Sequence, residues 1–129
     1  MMPTGQCCCG ASTVTVTGEP KLGAVCHCDD CRKRGGSAFG WSAYFASDQV
    51  QGPEGDLAEY SPSVDAPQTR WFCRRCGTTL AWRTGKFPGM TGVAVGTFPA
   101  GSLPDPSIGN KASACVEWIT LPSGWRHIG

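Results

Sequence analysis

The chain has 129 residues, a length that fits one domain with a modest hydrophobic core. We expect a single domain over residues 1–129, with the main part of the domain at about 5–121. Its formal net charge of +1 gives no reason to expect nucleic acid or an anionic membrane as a partner. No apolar run approaches the ~20 residues that a membrane helix needs, and no basic stretch followed by an apolar segment opens the chain. We therefore expect no membrane association, no secretory signal and a cytoplasmic location.

Short β-branched or aromatic stretches separated by Gly and Pro predict a mainly β fold of antiparallel sheets with little helix. The predicted strands are, in chain order, Ser12–Thr17, Ala38–Ala46, Leu57–Tyr60, Thr69–Cys73, Thr78–Arg83, Thr91–Phe98 and Cys115–Leu121. A short helical turn is predicted at Cys28–Arg34. Turn-forming residues predict loops at Pro53–Gly55 and Ser61–Pro67 and a long irregular segment at Phe98–Lys111.

Nine cysteines, eight of them in three tight clusters, are the most unusual feature of the chain. The clusters are Cys7, Cys8 and Cys9; Cys26, Cys28 and Cys31; and Cys73 and Cys76. In a reducing compartment such clusters bind metal or take part in catalysis more often than they form disulfides. A C-x-C pair is also a poor disulfide, because in an extended chain its Cα atoms lie about 7 Å apart. Metal sites are expected, and the alternatives are a disulfide framework or redox chemistry at the C-x-x-C pair.

Cys73 and Cys76 lie between two predicted strands, so we expect them on a hairpin turn. Gly77 follows them and tolerates the left-handed backbone that such turns need. Cys7 and Cys9 would complete a four-thiolate zinc site, a closed arrangement that is usually structural and contributes about 10 kcal/mol to folding. Spacing alone leaves open that Cys7 and Cys9 partner the middle cluster instead.

Cys26, Cys28 and Cys31 offer three thiolates without an obvious fourth ligand. A three-ligand zinc keeps a coordination position open, at which an incoming thiol loses its proton. The alternative is a second structural site, with His27 or a distant residue as the fourth ligand. In an extended segment His27 alternates away from its cysteine neighbours, so we expect its side chain to point outward.

Three basic residues follow the middle cluster directly, and their charge would balance the thiolates or hold the carboxylates of a small acidic thiol. Lys33, Arg34 and Ser37 are candidate substrate-binding residues because they adjoin the cluster. The alternative is that the basic run is simply a solvated face.

Several motifs together resemble the glutathione-dependent formaldehyde-activating enzyme family, also called the GFA-like or centromere-protein-V domain. The motifs are Gly5-x-Cys7-x-Cys9-Gly10-Ala11, Cys26-His27-Cys28-x-x-Cys31-Arg32-Lys33, Gly36-Ser37-Ala38-Phe39 and Arg70-x-Phe72-Cys73-x-x-Cys76-Gly77-Thr78-x-Leu80. The resemblance runs from about Gly5 to Leu121, which is almost the whole chain.

The resemblance implies a β-tent fold of antiparallel sheets stapled by two zinc ions per chain. It implies that Cys7, Cys9, Cys73 and Cys76 hold a structural zinc and that Cys26, Cys28 and Cys31 hold a catalytic one. The implied reaction joins a small thiol such as glutathione to a small aldehyde, formaldehyde, giving S-hydroxymethylglutathione, a carbon–sulfur lyase reaction in the reverse sense. A non-enzymatic, zinc-stapled binding module with two structural zinc sites is the alternative.

The chain departs from the family pattern at two places. Cys8 stands where the family often has His or another polar residue, and it creates a run of three cysteines that permits alternative ligation. The segment before Lys111 lacks the His that commonly precedes the Lys-Ala-Ser stretch, which bears on substrate identity. Outside the two ligand sets, Cys8 and Cys115 are expected to be small buried hydrophobic residues.

Overall fold

The computed structural model describes residues 2–62 and 67–129. Within these residues the chain forms eleven strands and one α-helix, α1 (Asp29–Gly35). The strands are β1 (Thr4–Gln6), β2 (Ser12–Val16), β3 (Leu22–Cys26), β4 (Gly40–Ala46), β5 (Val50–Gly55), β6 (Leu57–Tyr60), β7 (Gln68–Cys73), β8 (Thr79–Thr84), β9 (Met90–Ala94), β10 (Ile108–Asn110) and β11 (Arg126–Ile128). The predicted mainly β class with little helix is confirmed. None of the helices in the described ranges is long and apolar enough to cross a membrane.

The strands form two sheets. The smaller sheet has the order β1-β2-β5, and the larger has the order β11-β10-β3-β4-β9-β8-β7-β6. Strand β10 runs parallel to both β3 and β11, whereas the other described strand pairs are antiparallel. The antiparallel prediction therefore holds for most of the fold, with β10 as the exception.

The hydrophobic core lies between the two sheets. Strand β2 alternates, and its Val14 and Val16 are fully buried, as the period of two predicts. Phe45, Leu80 and Val93 face them from the larger sheet and belong to the same buried cluster. Burial of these side chains from both sheets fixes how the sheets stack, at roughly 1.5–3 kcal/mol for each large aliphatic or aromatic side chain.

Helix α1 connects two adjacent strands of the larger sheet, β3 and β4. Cys28 is its N-cap, since the sulfur accepts the backbone N–H of Cys31. Gly36 ends it in the left-handed conformation at φ 64°, where a side chain would be strained. The predicted helical turn at Cys28–Arg34 is thus confirmed, and it places the second and third cysteines of the middle cluster on one rigid turn.

Cys73 closes strand β7, and the chain reverses at once into the antiparallel strand β8. Two backbone bonds lock the reversal: Cys73 N–H donates to Thr78 O, and Gly77 N–H donates to Cys73 O, both at 2.8 Å. Gly77 has φ 80°, so the predicted hairpin with a left-handed glycine is confirmed.

The predicted strand at Cys115–Leu121 is wrong. Its backbone groups bond locally instead, with Ile119 N–H donating to Val116 O at 3.1 Å. The strand that pairs with the outer side of β10 is β11, formed by residues near the C-terminus. The apolar alternation of this segment therefore does not produce a strand.

Two predicted irregular segments also contain strands. Pro53–Gly55 belongs to β5, which lies at the edge of the smaller sheet, where a proline costs no inner ladder bond. Phe98–Lys111 contains β10, which pairs with β3. The predicted strand Thr91–Phe98 ends at Ala94 and continues as a 3₁₀ turn. The predicted loop at Ser61–Pro67 lies largely outside the described residues.

Candidate functional site

The structure brings the first and third cysteine clusters together. The sulfur atoms of Cys7, Cys9, Cys73 and Cys76 all lie within 4.8 Å of one another. Cys9 Sγ lies 3.7 Å from Cys7 Sγ and 3.7 Å from Cys73 Sγ. Four sulfur atoms around a zinc ion at about 2.3 Å would be about 3.8 Å apart, whereas a disulfide needs about 2.05 Å. This donor set therefore fits a tetrahedral ion, and the structure groups Cys7 and Cys9 with Cys73 and Cys76 instead of with the middle cluster.

Hydrogen bonds point at these sulfur atoms from the surrounding turns. The backbone N–H of Ser12 donates to Cys7 Sγ at 3.3 Å, and that of Arg75 donates to Cys73 Sγ at 3.4 Å. The Thr78 hydroxyl lies 3.3 Å from Cys76 Sγ, and this hydrogen bond lowers the pKa of Cys76 to about 5. Donors of this kind favour thiolates, which are the form that binds metal.

The middle cluster also converges. The sulfur atoms of Cys26, Cys28 and Cys31 lie within 4.8 Å of one another, and the three residues are half-buried. In the part of the chain that the structure describes, no fourth Cys, His, Asp or Glu donor joins this group. Three thiols on one side, without a fourth, fit an ion that keeps a coordination position free.

The three thiols differ in their hydrogen bonds. Cys28 Sγ accepts the N–H of Cys31 at 3.3 Å, and Cys26 Sγ accepts the side-chain amide of Asn110 at 3.4 Å. The hydrogen bond between the sulfur atoms of Cys31 and Cys26 lowers the pKa of Cys26 to about 5 and raises the pKa of Cys31. This hydrogen bond therefore favours the thiolate on Cys26 over the thiolate on Cys31.

His27 is fully buried, so the expectation of an outward side chain is wrong. Its ring packs edge-on against Phe39, with 5.8 Å between the ring centroids. Neither ring nitrogen has a hydrogen-bond partner among the described residues. His27 does not join the three-sulfur group, which disfavours its role as a fourth ligand.

A cleft of about 550 Å³ lies between the C-terminal end of α1 and the turn at residues 76–79. Arg34 and Ser37, two of the candidate substrate-binding residues, line it together with Phe39 and Trp41. Lys33 is exposed and does not line the cleft. Cys76 and its neighbours form the opposite wall, whereas the three cysteines of the middle cluster do not line the cleft. We call it the Arg34 cleft.

Arg34 is held rigidly at this cleft. Its guanidinium carbon lies 3.8 Å from the centroid of the buried Trp82 ring, a cation–π contact, and burial lowers the pKa of Arg34. The Trp82 indole N–H in turn donates to the Tyr44 hydroxyl at 2.9 Å. An arginine keeps its charge in such a setting, so the cleft presents a fixed cation.

Gly40 connects the cleft to the three-cysteine cluster. A Cβ at this position would lie 2.6 Å from Arg34 Nη2 and 3.1 Å from the Cβ of Cys31. Only a residue without a side chain lets the guanidinium and the cysteine approach β4 this closely. The cation is thereby placed beside the cluster.

A second contact ties α1 to the larger sheet. Asp30 forms an ion pair with Arg70, a buried residue of β7 whose Nε also donates to Gln68 Oε1 at 2.7 Å. The helix that carries Cys31 is thus anchored at its N-terminal turn by Asp30 and at its C-terminal end by Arg34.

The two cysteines outside the ligand sets behave differently from expectation. Cys8 is exposed, which contradicts the prediction that it is buried; its backbone N–H donates to the Thr78 hydroxyl at 3.2 Å. Cys115 is half-buried, with its sulfur 3.6 Å from the backbone oxygen of Ile119. Cys7 and Cys9 on either side of it join the four-sulfur group, whereas Cys8 does not.

Sequence reasoning overlooked four residues of this site: Gly40, Asn110, Asp30 as a partner of Arg70, and Trp82 as a partner of Arg34. These contacts join residues far apart in the chain, and no local pattern marks them. For Asn110 a signal was present, because it directly precedes the Lys-Ala-Ser stretch, next to which the chain departs from the family pattern.

Comparisons with known proteins agree with these features. The family model described as glutathione-dependent formaldehyde-activating enzyme matches residues 2–112. An uncharacterized lyase of Schizosaccharomyces pombe is 36% identical over an 88-residue alignment, with coverage of 65% of this chain and 61% of that protein. The chain therefore spans less than two thirds of that relative's length. A crystal structure of a Rhodobacter sphaeroides protein aligns with a TM-score of 0.58 and 26% identity, covering 78% of this chain and 91% of the other.

Proposed function

Because the chain belongs to the glutathione-dependent formaldehyde-activating enzyme family, we propose that it is a zinc-dependent carbon–sulfur lyase of the S-(hydroxymethyl)glutathione synthase type. It would join a small thiol such as glutathione to a small aldehyde such as formaldehyde, or catalyse the reverse. In the forward direction the thiol S–H bond breaks and a sulfur–carbon bond forms. The carbonyl π electrons move to the oxygen, which takes up a proton, so the product is an S-hydroxymethyl thiol.

The observation that carries this proposal is the three-sulfur group of Cys26, Cys28 and Cys31, which Gly40 connects to the Arg34 cleft. A closed structural site would need a fourth donor, and the described residues place none there. Zinc at these sulfur atoms would supply a free coordination position at which an incoming thiol gives up its proton.

Arg34 has the chemistry to recognise the rest of the substrate. A guanidinium offers several donors in a planar fork that matches a carboxylate, and glutathione carries two carboxylates. Stacking on Trp82 holds the fork in place before substrate arrives, so less conformational entropy is lost on binding. The Ser37 hydroxyl lines the same cleft and would add a hydrogen bond. The role of Lys33 in substrate binding stays a prediction, since its side chain is exposed on α1 and does not line the cleft.

The main catalytic contribution would be proximity. Holding a thiol at one wall of the cleft and an aldehyde next to it turns a bimolecular addition into a reaction within one complex. In this proposal Cys7, Cys9, Cys73 and Cys76 hold a structural zinc that closes the N-terminal segment onto the β7–β8 hairpin.

A thiol titration of the cobalt-substituted protein tests the open site. Addition of glutathione should change the sulfur-to-cobalt absorption of the parent protein. The Cys28→Ser variant, which keeps the four-cysteine site, should show no such change. A parent spectrum that ignores glutathione and other small thiols would instead favour the zinc-stapled binding module with two closed sites.

A further inference from the structure

We propose that Asn110 is a positioning residue for the three-cysteine cluster, fixing the orientation and the electron donation of Cys26 through its side-chain amide. This inference rests on the proposed function, since it assigns Asn110 a role toward the metal that Cys26 would bind.

Two hydrogen bonds place Asn110 at the cluster. Strand β10 runs parallel to β3, with Asn110 opposite Cys26 in the register. The Asn110 backbone oxygen accepts the N–H of His27 at 3.1 Å, while its side-chain Nδ2 lies 3.4 Å from Cys26 Sγ. Asn110 thus forms hydrogen bonds with both the backbone N–H of His27 and the sulfur of Cys26.

The surrounding chain leaves Asn110 little freedom to move. Strand β10 is flanked on its other side by β11, where Asn110 lies opposite Ile128. At Gly109, one residue earlier, an added Cβ would meet Leu121 Cδ1 at 2.9 Å, so the strand is tightly packed. Lys111 follows in the left-handed conformation, at φ 54° and ψ 44°, which is uncommon for a residue with a side chain. Strand β10 therefore ends at Asn110, and the chain changes direction at Lys111.

The hydrogen bond to Cys26 comes from a side chain, whereas the hydrogen bond to Cys28 comes from the backbone. Cys28 receives its donor from the backbone N–H of Cys31, which is part of the helix cap and would persist with most side chains at residue 31. Cys26 receives its donor from a side chain, which evolution or mutation can change. An amide adds no charge and donates one N–H to the sulfur, withdrawing electron density from the thiolate without competing for the metal.

Two consequences follow for a metal held by these sulfur atoms. Loss of the amide donor leaves Cys26 free to rotate, which weakens metal binding by about 10- to 100-fold, as for other residues that orient metal ligands. It also leaves more electron density on the sulfur, so the sulfur-to-metal charge-transfer absorption moves to longer wavelength.

Cobalt spectroscopy and zinc competition of the full chain test this inference in Asn110→Ala and Asn110→Asp. The aspartate variant keeps the size and shape of the side chain but replaces the donor by an oxygen. Ser107→Ala, an exposed position just before the same strand, is the matched control. The cobalt spectrum of Cys28→Ser gives the absorption of the four-cysteine site alone, and it is subtracted from the spectrum of each other protein. The presence of that four-cysteine absorption in a variant also shows that the variant is folded.

Both Asn110 variants should shift the three-cysteine band to longer wavelength and weaken zinc binding at that site, whereas Ser107→Ala should match the parent. An unshifted band together with parental zinc affinity in Asn110→Asp would overturn the role of Asn110 and leave the proposed function standing. A parent protein with no band beyond that of Cys28→Ser would overturn the proposed metal site, and the role of Asn110 with it.

Discussion

Gly40→Ala should misplace the fixed cation of the Arg34 cleft without unfolding the protein. The added Cβ would lie 2.6 Å from Arg34 Nη2, and an ordinary contact needs about 3.4 Å. The guanidinium must therefore retreat by roughly 0.8 Å from its place over Trp82. The same Cβ lies 3.1 Å from the Cβ of Cys31, so the helix also shifts slightly.

A displacement of this size near reacting groups costs up to about 100-fold in rate. We expect kcat/KM for glutathione and formaldehyde to fall about 10- to 100-fold in Gly40→Ala. The free energy of unfolding should change by only about 1–2 kcal/mol, since mild overpacking is partly offset by the smaller entropy of the unfolded chain. Enzyme kinetics and denaturant unfolding measure the two quantities.

Gly124→Ala is the control, because an added Cβ there meets nothing within 4 Å. It should leave both kcat/KM and stability close to parental values. A Gly40→Ala protein with parental kcat/KM would refute the reasoning that Gly40 allows Arg34 and the cluster to approach the cleft together.

Three further substitutions probe the same site. Arg34→Met should raise KM for glutathione about 10- to 100-fold, corresponding to one lost charge-assisted hydrogen bond of about 1.5–3 kcal/mol, and should hardly affect the neutral thiol 2-mercaptoethanol. The exposed Lys33→Met is its comparison, and an equal effect of both variants on glutathione would point to charge alone rather than the cleft. Cys28→Ser should abolish turnover while circular dichroism and thermal unfolding stay near parental, whereas global unfolding would mark the middle cluster as structural. Cys73→Ser, or removal of metal by a chelator, should lower the thermal midpoint sharply, because a four-thiolate zinc contributes on the order of 10 kcal/mol to folding; an unchanged midpoint would contradict a structural role for that site.

Local spacing was sufficient for the parts of the site that are close together in the chain. Cys28 and Cys31 are three residues apart, so a single helical turn brings their sulfur atoms to one side. Cys73 and Cys76 straddle a turn whose glycine marks its backbone conformation. At these two places the spacing of the cysteines determines where their sulfur atoms lie, so the prediction needed no knowledge of the remaining fold.

Contacts between distant segments were harder to predict from spacing. The contact between Cys9 and Cys73, which spacing left open and the family resemblance implied, depends on how the two sheets stack. Asn110 reaches Cys26 only because β10 adds to the sheet in parallel, and the segment around it reads as irregular. His27 illustrates the limit well: it stays outside the three-sulfur group, but its side chain is buried instead of outward and packs edge-on against Phe39.

The wrong strand at Cys115–Leu121 shows the limit of β-propensity. Its pattern of apolar residues suits a strand, yet β11 near the C-terminus occupies the available edge of β10. A strand forms only where a neighbouring strand pairs with its backbone N–H and C=O groups. β-Propensity alone does not show which segments find such a neighbour.

Exchange NMR with glutathione and ¹³C-formaldehyde offers the sharpest test of thiol addition at Cys26, Cys28 and Cys31. Zinc-loaded protein should accelerate the interconversion of free formaldehyde and S-hydroxymethylglutathione well above the uncatalysed rate, and Cys28→Ser should return it to that rate. Equal exchange rates with the parent protein, with the Cys28→Ser variant and without protein would contradict the proposed lyase activity.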